Sequence, residues 1–499
     1  MRVAVSVPLG PVDALPRLAA QRWPDRVAVS VANGDKVTYA QLEKRVSRLA
    51  GGLRALLGAD DAVVAVSSVA GMDFPVAYYA VMRSGNVVAP VNPVLPADVV
   101  VRLLATSGAV AALLAPHVYE AVAPLLHRAP KLRHVMVLGA DEPIAMGSVT
   151  SGRAPDEATA AIMFTSGSTG PAKGVRLSHR NLKAGAAQLG AAHDLTEGTV
   201  VVNALPIYHP MHLNAGVLAG VTQVLAGPEP VAAVRTAANV GATHFYALPF
   251  QLTRLAGHTD FGRLAAPTVR IAACGGLPLP SSIVDKLTCH FGFRLLQGYG
   301  LTETAGLAHS DLVGAPKQGT VGPALAAAQT RVVGLETGAV LAPGAIGEVQ
   351  VRGPQVFVGY LDAPAPLDAE GWFATGDAGF VDEDGYLTVI DRVRDLFRVG
   401  ATLVSPASIE RRLHAHPDVR ECAVVGLSGL GAAALVVPRG PVDADALLGA
   451  LNAGASHAEA VRRAVTAPAI PRLANGKVDK DAVRARLADS VPVVLSNSS

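Results

Sequence analysis

The chain has 499 residues, 50% of them hydrophobic and 16% charged, with a formal net charge of +2 at pH 7. This length suffices for two or more packed cores, and the near-neutral charge without a basic run argues against a nucleic-acid partner. The three cysteines, Cys274, Cys289 and Cys422, are far apart in the sequence. Such spacing is typical of unpaired thiols in a reducing compartment, and we therefore expect a cytoplasmic protein.

Neither the N-terminus nor the long uncharged segment has the pattern of a membrane or secretory sequence. The first residues, MRVAVSVPLGPVD, contain one arginine and an apolar run interrupted by Pro8, which argues against a signal peptide. From Gly198 to Pro228 the chain carries no formal charge, but it includes prolines, histidines and asparagines. These residues favour a buried pocket wall over a membrane span.

Strand and helix patterns alternate along most of the chain. A short β-type stretch and an amphipathic helix begin at Val37, a strand (DAVVAVSSVA) at Asp61, and a helix (DFPVAYYAVMRSG) at Asp73. This alternation predicts an α/β fold with parallel or mixed sheets covered by helices. Further on, ASIERRLHAHPDVRECAVVGL has the pattern of a helix, a turn and a strand. We therefore predict a large domain over residues 1–394 and a small α+β domain over 395–499.

A glycine-rich loop, TSGSTGPAKGV, follows the buried-strand pattern AIMF and precedes RLSHRNLKAG, which we predict to be helical. Glycines let the backbone approach a ligand, and backbone N–H groups, hydroxyls and one lysine can surround phosphate oxygens. A flexible linker is the alternative, and the P-loop pattern is absent. The predicted phosphate-binding residues are Thr165, Ser166, Gly167, Ser168, Thr169, Gly170 and Lys173.

Three further stretches carry residues suited to nucleotide chemistry. GYGLTETAG (298–306) places a carboxylate beside hydroxyls, which suits a phosphate and its Mg²⁺. In the segment from 371 to 395, Asp377 can accept hydrogen bonds from ribose hydroxyls, and Arg392 can reach a ribose oxygen or a phosphate. In PRLANGKVDK, Lys477 lies in a glycine-marked turn, where a lysine is most often a solvated surface charge.

In this order and spacing, the motifs resemble the ANL superfamily of adenylate-forming enzymes, in its acyl-CoA ligase branch. The resemblance extends from WPDRVAV, near the N-terminus, to Lys477. It implies a large N-terminal domain with a barrel-like subdomain and a small mobile C-terminal domain. It also implies ATP, Mg²⁺ and coenzyme A, used to convert a carboxylic acid first to an acyl-adenylate and then to an acyl-CoA.

The resemblance also implies a role for each matching position. Lys477 corresponds to the lysine that contacts the attacking carboxylate and the α-phosphate. His209 corresponds to the residue at the mouth of the acyl pocket. Asp395 corresponds to the hinge, and Gly400 lies in the segment beside the thiol tunnel. The nucleotide site would comprise Gly275 and Gly276 flanking adenine, Gln297, Gly298, Tyr299 and Gly300 around its ring, Thr302 at the α-phosphate, Glu303 at Mg²⁺, and Asp377 and Arg392 at the ribose.

Several positions depart from the family pattern, most of them in the C-terminal part. A glycine of the hinge motif is replaced by Asp391, and His212 occupies a position where glycine is common. Three other reactions or roles therefore stay open: thioester formation from a supplied adenylate, adenylate formation for a carrier protein, and non-catalytic nucleotide binding. The further departures are Ala401 after Gly400, Ser408 in SPASIE, Leu473 before the final Gly-Lys, and Ser428 and Gly429 in place of a charged stretch.

The predicted acyl-binding stretches are apolar. Residues 198–228 and 245–255 contain no acidic side chain to hold an amino group, and no carrier-attachment serine follows Lys477. A hydrophobic monocarboxylic acid is therefore favoured over an amino acid. Aliphatic, aromatic and polycyclic acids all stay open, as does a homodimer.

Overall fold

The computed structural model describes residues 10–31, 34–58, 60–139, 149, 154–165, 172–400, 402–442, 444–472 and 478–489, with the backbone alone at 444–446. The predicted residues Ser166–Gly170 and Lys477 therefore lie outside the described residues. Within the described residues, no helix combines the length and the apolar character needed to cross a bilayer.

The strands form five sheets. In chain order they are β1 (Val27–Val31), β2 (Lys36–Thr38), β3 (Val63–Ser67), β4 (Val87–Pro90), β5 (Ala111–Leu114), β6 (His134–Val137), β7 (Thr159–Phe164), β8 (Gly174–Ser178), β9 (Val200–Asn203), β10 (Thr222–Leu225), β11 (His244–Tyr246), β12 (Ile271–Gly275), β13 (Arg294–Tyr299), β14 (His309–Ser310), β15 (Gln329–Val333), β16 (Gly347–Arg352), β17 (Gly359–Tyr360), β18 (Phe373–Val381), β19 (Leu387–Arg392), β20 (Phe397–Val399), β21 (Thr402–Val404), β22 (Val419–Leu427), β23 (Gly431–Pro438) and β24 (Val461–Thr466).

The helices alternate with these strands over most of the chain, as the sequence predicts. They are α1 (Leu15–Arg22), α2 (Tyr39–Leu57), α3 (Asp73–Arg83), α4 (Ala97–Ser107), α5 (Pro116–Val122), α6 (His179–Ala192), α7 (Met211–Ala219), α8 (Pro230–Asn239), α9 (Pro249–Ala256), α10 (Ser281–Phe291), α11 (Pro406–His414), α12 (Ala444–Asn452) and α13 (Lys480–Asp489).

Two large mixed sheets form the N-terminal part. One has the strand order β14-β13-β12-β11-β9-β10-β1-β2, with antiparallel strands only at its two ends. The other has the order β17-β8-β7-β4-β3-β5-β6. In both sheets the central strands are parallel and are joined by covering helices, which is the arrangement that the alternating sequence pattern predicts.

The segment after the glycine-rich loop differs from the prediction. We expected RLSHRNLKAG to be helical throughout, but its first three residues end β8, which pairs antiparallel with β7. The helix α6 begins only at His179, where Ser178 and Asn181 form a capping box. A hairpin, rather than a strand and a helix, therefore brackets the glycine-rich loop.

The remaining sheets are smaller. One of them is the antiparallel sheet β15-β16-β18-β19. After it come the hairpin β20-β21 and the sheet β22-β23-β24, on which α11 packs through Ile409 and Leu413. This helix and β22 confirm the helix–turn–strand pattern predicted for the C-terminal part. The domain boundary at 394/395 remains a prediction.

The largest apolar core joins helices α2, α3 and α6 to strands of both large sheets. Leu42, Val46 and Leu53 of α2 are fully buried in it, together with Tyr78 and Tyr79 of α3. Full burial of an aliphatic side chain of this size stabilises a fold by roughly 1.5–3 kcal/mol. The core therefore fixes the positions of the two large sheets relative to each other, and with them the strand ends that carry the predicted site.

A buried polar cluster lies between α6 and the eight-stranded sheet. His193, just after α6, makes hydrogen-bond contacts of 2.9 Å with the Tyr246 hydroxyl and 3.2 Å with the Ser310 hydroxyl. The His244 ring contacts the His193 carbonyl oxygen at 2.9 Å. Burial, together with the neighbouring His212 and His244, lowers the pKa of His193 to about 3, so its ring is neutral in the folded protein.

This cluster should make the fold sensitive to acid. His193 has an ordinary pKa of 6.5 when unfolded and a pKa of about 3 when folded, so the unfolded chain binds the extra proton between these values. The free energy of unfolding should therefore fall as pH drops below about 6.5, by about 1.4 kcal/mol per pH unit for this residue. Urea unfolding of wild type and His193→Gln between pH 7.5 and 5 measures the difference in slope.

The matched control is His258→Gln, since His258 is exposed. We expect it to keep the wild-type slope, whereas His193→Gln should reduce the slope by about one proton. Identical slopes for His193→Gln and wild type would contradict the assignment of a neutral, buried His193.

Candidate active site

The adenine-binding positions predicted from the sequence lie where two neighbouring parallel strands end. Gly275, the last residue of β12, pairs with Gly298 of β13. A Cβ atom at Gly275 would lie 2.8 Å from the Gly298 carbonyl oxygen, so a side chain there would collide with backbone. Gly276 follows with a φ of +85°, a conformation that favours glycine. Ligands of α/β sheets commonly bind at such carboxyl ends of strands.

The backbone of Gln297 is held by a carboxyl group that the sequence analysis did not identify. The Gln297 N–H donates to Asp311 Oδ2 at 2.9 Å, and the Lys317 N–H contacts the other oxygen at 3.3 Å. Burial raises the pKa of Asp311 to about 6. Asp311 follows β14, which pairs with β13, and the pairing is what brings it to Gln297.

Tyr299, Asp377 and Arg392, predicted to contact the adenosine, meet in one cluster. Asp377 and Arg392 are cross-strand partners in β18 and β19, and their side chains form an ion pair of 3.0 Å. The Tyr299 hydroxyl donates to the second oxygen of Asp377 at 2.6 Å. Burial, reinforced by the charge of Asp377, raises the pKa of the Tyr299 phenol above its ordinary value, so it remains a donor. The Asp377 side chain is only 7% exposed.

The loop after Tyr299 folds back tightly on itself. A Cβ atom at Gly300 would overlap the Gly306 carbonyl oxygen, so glycine is required at this close approach. Thr302 and Glu303 lie in a single 3₁₀ turn that ends at Thr304. The Glu303 carbonyl oxygen accepts from the Phe357 N–H at 2.9 Å, and both predicted side chains are half-buried.

A tyrosine connects Glu303 to the base of the glycine-rich loop. The Tyr360 hydroxyl donates to Glu303 Oε1 at 3.1 Å, and the Lys173 ammonium lies 5.1 Å from the centre of the Tyr360 ring. Burial and the charge of Glu303 raise the pKa of the Tyr360 phenol. The Thr165 N–H donates to the Lys173 carbonyl oxygen at 3.0 Å, which closes the hairpin on either side of residues 166–171. Tyr360 reaches this place through β17, which pairs with β8.

The predicted acyl-pocket residues lie around the start of α7. His209 is exposed, and its ring lies 4.6 Å from that of Tyr208. The His212 ring lies 4.6 Å from the Tyr246 ring, and its Nδ1 atom is buried with no hydrogen-bond partner in the described part of the chain. Burial, with a smaller contribution from His209, lowers the pKa of His212 to about 3, so the ring is neutral.

The predicted hinge and thiol-tunnel residues lie apart from these contacts. Asp395 ends a short 3₁₀ turn between β19 and β20, and burial raises the pKa of its carboxyl group. Gly400 has a φ of +59° at the tip of the β20-β21 hairpin. Ala401, which follows it, lies outside the described residues, as does Leu473.

The sequence profile of the AMP-binding enzymes matches residues 17–361, more than half of the chain, and the profile of their C-terminal domain matches residues 408–477. This chain belongs to the AMP-binding enzyme family. The match confirms the resemblance to adenylate-forming enzymes that the motifs indicate.

Two relatives of this AMP-binding enzyme are similar to it over nearly their whole length. A feruloyl-CoA synthase from an Amycolatopsis species is 30% identical, covering 91% of this chain and 94% of the relative. A long-chain-fatty-acid–CoA ligase from Thermus thermophilus is also 30% identical, covering 95% of this chain and 94% of the relative.

Solved structures support the same fold. ATP-bound MatB from Rhodopseudomonas palustris is 27% identical, with a TM-score of 0.85 over 96% of this chain and 99% of that one. An o-succinylbenzoate CoA synthetase from Bacillus subtilis, in complex with its acyl-adenylate intermediate, is 26% identical, with a TM-score of 0.83 over 97% of this chain and 99% of that one. The large N-terminal α/β part and the smaller C-terminal part are thereby confirmed.

The Asp377 cluster gives a direct test of the nucleotide site. Asp377→Asn should weaken AMP binding by about tenfold or more, because hydrogen bonds to a charged acceptor contribute roughly 1.5–3 kcal/mol. Isothermal titration calorimetry with AMP measures this change. The control is Glu383→Gln in the exposed turn between β18 and β19, for which we expect wild-type affinity. Wild-type AMP affinity in folded Asp377→Asn would remove this carboxylate from the site.

Proposed function

We propose that this AMP-binding enzyme activates a hydrophobic carboxylic acid with ATP and transfers the acyl group to coenzyme A, releasing AMP and pyrophosphate. The general reaction, ATP-dependent formation of an acyl-CoA by an AMP-forming ligase, is supported by the family and by its CoA ligase relatives. The main observation behind the proposal is that two side-chain clusters lie at the two ends of the loop from Tyr299 to Glu303. These clusters are Tyr299–Asp377–Arg392 and Glu303–Tyr360–Lys173.

The first cluster would hold the nucleoside. The ribose hydroxyls would donate to the carboxylate of Asp377, which forms an ion pair with Arg392. Tyr299 would lie against the adenine ring, and the backbone of Gly275 and Gly276 at the strand end would flank it. Because these groups already contact one another, little rearrangement is needed when the nucleotide binds.

The second cluster would hold the phosphates. Lys173, Thr302 and the N–H groups of the glycine-rich loop supply positive charge and donors. Mg²⁺ usually takes one or two carboxylates and several phosphate or water oxygens, and the half-buried carboxylate of Glu303 fits that requirement. When bound, the ion would offset the negative charge of the phosphates. Tyr360 would orient Glu303 through its hydroxyl group.

The reaction would proceed in two displacements. In the first, a carboxylate oxygen of the acid forms a bond to the α-phosphorus while the bond to pyrophosphate breaks. In the second, the thiolate of coenzyme A forms a bond to the acyl carbon and AMP leaves with the bonding electrons. Lys477 would serve the first displacement, since its charge offsets the repulsion between the acid and the phosphate. Asp395 would be the hinge, and Gly400 would lie beside the thiol.

The substrate class rests on the uncharged segment from 198 to 228. It folds into β9, α7 and β10, and much of it is buried in the eight-stranded sheet. Among the residues at and just before the start of α7, His209 is exposed and His212 half-buried, and in this proposal both would face the acid. Because residues 198–228 and 245–255 both lack acidic side chains, an acid with an apolar body is favoured over an amino acid.

The two displacements can be tested separately across a panel of aliphatic and aromatic acids. We expect acid-dependent ATP–pyrophosphate exchange, together with a CoA thioester detected by mass. Exchange without thioester would indicate adenylate formation for another acceptor. Thioester only from a pre-made adenylate would indicate a specialist for the second displacement. Absence of both reactions and of ATP binding would overturn the proposal.

The role of Lys477 can be tested in the same assays. Lys477→Ala should lower the rate of ATP–pyrophosphate exchange by at least about a hundredfold. The rate of thioester formation from a synthetic acyl-adenylate should stay within about twofold of wild type. Lys36→Ala, at an exposed position, should leave both rates unchanged. If Lys477→Ala lowers both rates equally, the lysine does not serve the first displacement alone.

The ring pair of His212 and Tyr246 should limit the size of the acid. His212→Ala removes the ring from the side of Tyr246, and the space gained should raise kcat/KM for bulkier acids relative to smaller ones by about tenfold. Competition between acids of increasing size measures this ratio, with His258→Ala as the exposed control. An unchanged ratio would place His212 outside the acyl pocket.

A further inference from the structure

Asp391, just before the predicted hinge, caps a helix that belongs to the C-terminal part. Its Oδ2 atom accepts from the Ser405 hydroxyl and from the Ala407 N–H, both at 2.9 Å. Its Oδ1 atom accepts from the Arg392 N–H, also at 2.9 Å. The first N–H groups of a helix lack partners within the helix, and negative charge is favoured there. The carboxylate therefore binds the beginning of α11 from outside that helix.

The capped helix is firmly attached to the rest of the C-terminal part. Ile409 and Leu413 of α11 are fully buried in its apolar core. Glu410 accepts from the Val424 N–H at 2.8 Å and pairs with Lys480. A contact that orients α11 therefore orients the sheet β22-β23-β24 and the start of α13 as well.

The same helix is connected to the segment that carries the predicted catalytic lysine. Arg472 and Val478 form an isolated antiparallel bridge on either side of residues 473–477. The Asp479 N–H donates to the Pro471 carbonyl oxygen at 2.9 Å, and Lys480 pairs with Glu410 of α11. The ends of the segment containing Lys477 are thus fixed to the unit that Asp391 caps.

On its other side, Asp391 belongs to the four-stranded sheet β15-β16-β18-β19. It pairs with Ala378 across β18 and β19, next to the pair of Asp377 and Arg392. Asp391 precedes the predicted hinge at Asp395, whereas Ser405 and Ala407 follow it. A rotation about Asp395 that moves the start of α11 away from β19 therefore breaks both hydrogen bonds to Oδ2.

We infer that Asp391 is a positioning residue, which holds the C-terminal part in the arrangement seen here and so sets the balance between the two displacements. The catalytic part of this inference rests on the proposed function. A glycine at this position could make no such contact, so the restraint depends on the Asp391 carboxylate. A residue with a purely local role in stability would lower both displacements together, whereas a restraint on domain arrangement changes their ratio.

The experiment uses the full-length enzyme with Asp391→Gly, Asp391→Asn and the control Asp418→Asn, which lies in the exposed turn after α11. Spin labels at Glu383→Cys and Ala453→Cys report the distance between the two parts. The background is Cys289→Ser, because Cys289 is exposed while Cys274 and Cys422 are buried. ATP–pyrophosphate exchange and thioester formation from a synthetic acyl-adenylate are measured on the same variants without labels.

We expect Asp391→Gly to broaden or shift the distance distribution and to change the ratio of the two rates by about tenfold. Asp391→Asn keeps one acceptor oxygen, so its distance distribution and rate ratio should lie between those of Asp391→Gly and wild type. If the glycine variant does not fold, the asparagine variant tests the inference by itself. Asp418→Asn should behave as wild type. An unchanged distance distribution in both Asp391 variants would overturn the inference, as would an equal loss of both rates.

The distance measurement needs no substrate. If no acid in the panel reacts, the proposed function fails while the spin-label distances still decide whether Asp391 restrains the C-terminal part.

Discussion

The predicted site depends on the pairing of the buried Asp377 carboxylate with Arg392 and the Tyr299 hydroxyl. This carboxylate is nearly inaccessible to solvent and is held by Arg392 on one side and by the Tyr299 hydroxyl on the other. A buried charge is costly unless it is paired and hydrogen-bonded. The three side chains therefore fix the end of β13 in the eight-stranded sheet against β18 and β19 in the four-stranded sheet, and the proposed nucleotide site lies where these sheets meet.

Most elements of the fold could be predicted because their sequence periodicity agrees with their tertiary environment. The strand at Val63–Ser67 and the helices at Tyr39–Leu57 and Asp73–Arg83 follow the expected pattern. The error at residues 176–178 has a tertiary cause. Arg176 pairs with Ile162 in β7 and with Gly359 in β17, and strand pairing between distant segments overrides a local helical preference.

Some residues of the candidate site could likewise be predicted from the sequence, and others could not. Motifs identified Glu303, Asp377 and Arg392 because their residue types suit phosphate, metal and ribose. Nothing local in the sequence marks Tyr360 or Asp311, since each acquires its role from a strand pairing: β17 with β8 and β14 with β13. Asp391 was recognised only as a departure from a pattern, because its partners in α11 are visible only in three dimensions.

The pairing of β1 with β10 has a consequence for how the chain folds during synthesis. Val29 lies opposite Gln223 in this parallel pair, so the N-terminal strands cannot join their sheet until more than two hundred residues have left the ribosome. Pairings of such sequence separation form slowly and leave strand edges unprotected in the meantime. The hairpin β7-β8, by contrast, joins residues close in sequence. Strands β3 to β8 can therefore pair in the nascent chain before β10 is available to β1. The β1 edge that β10 later covers is the segment for which a chaperone would be most useful.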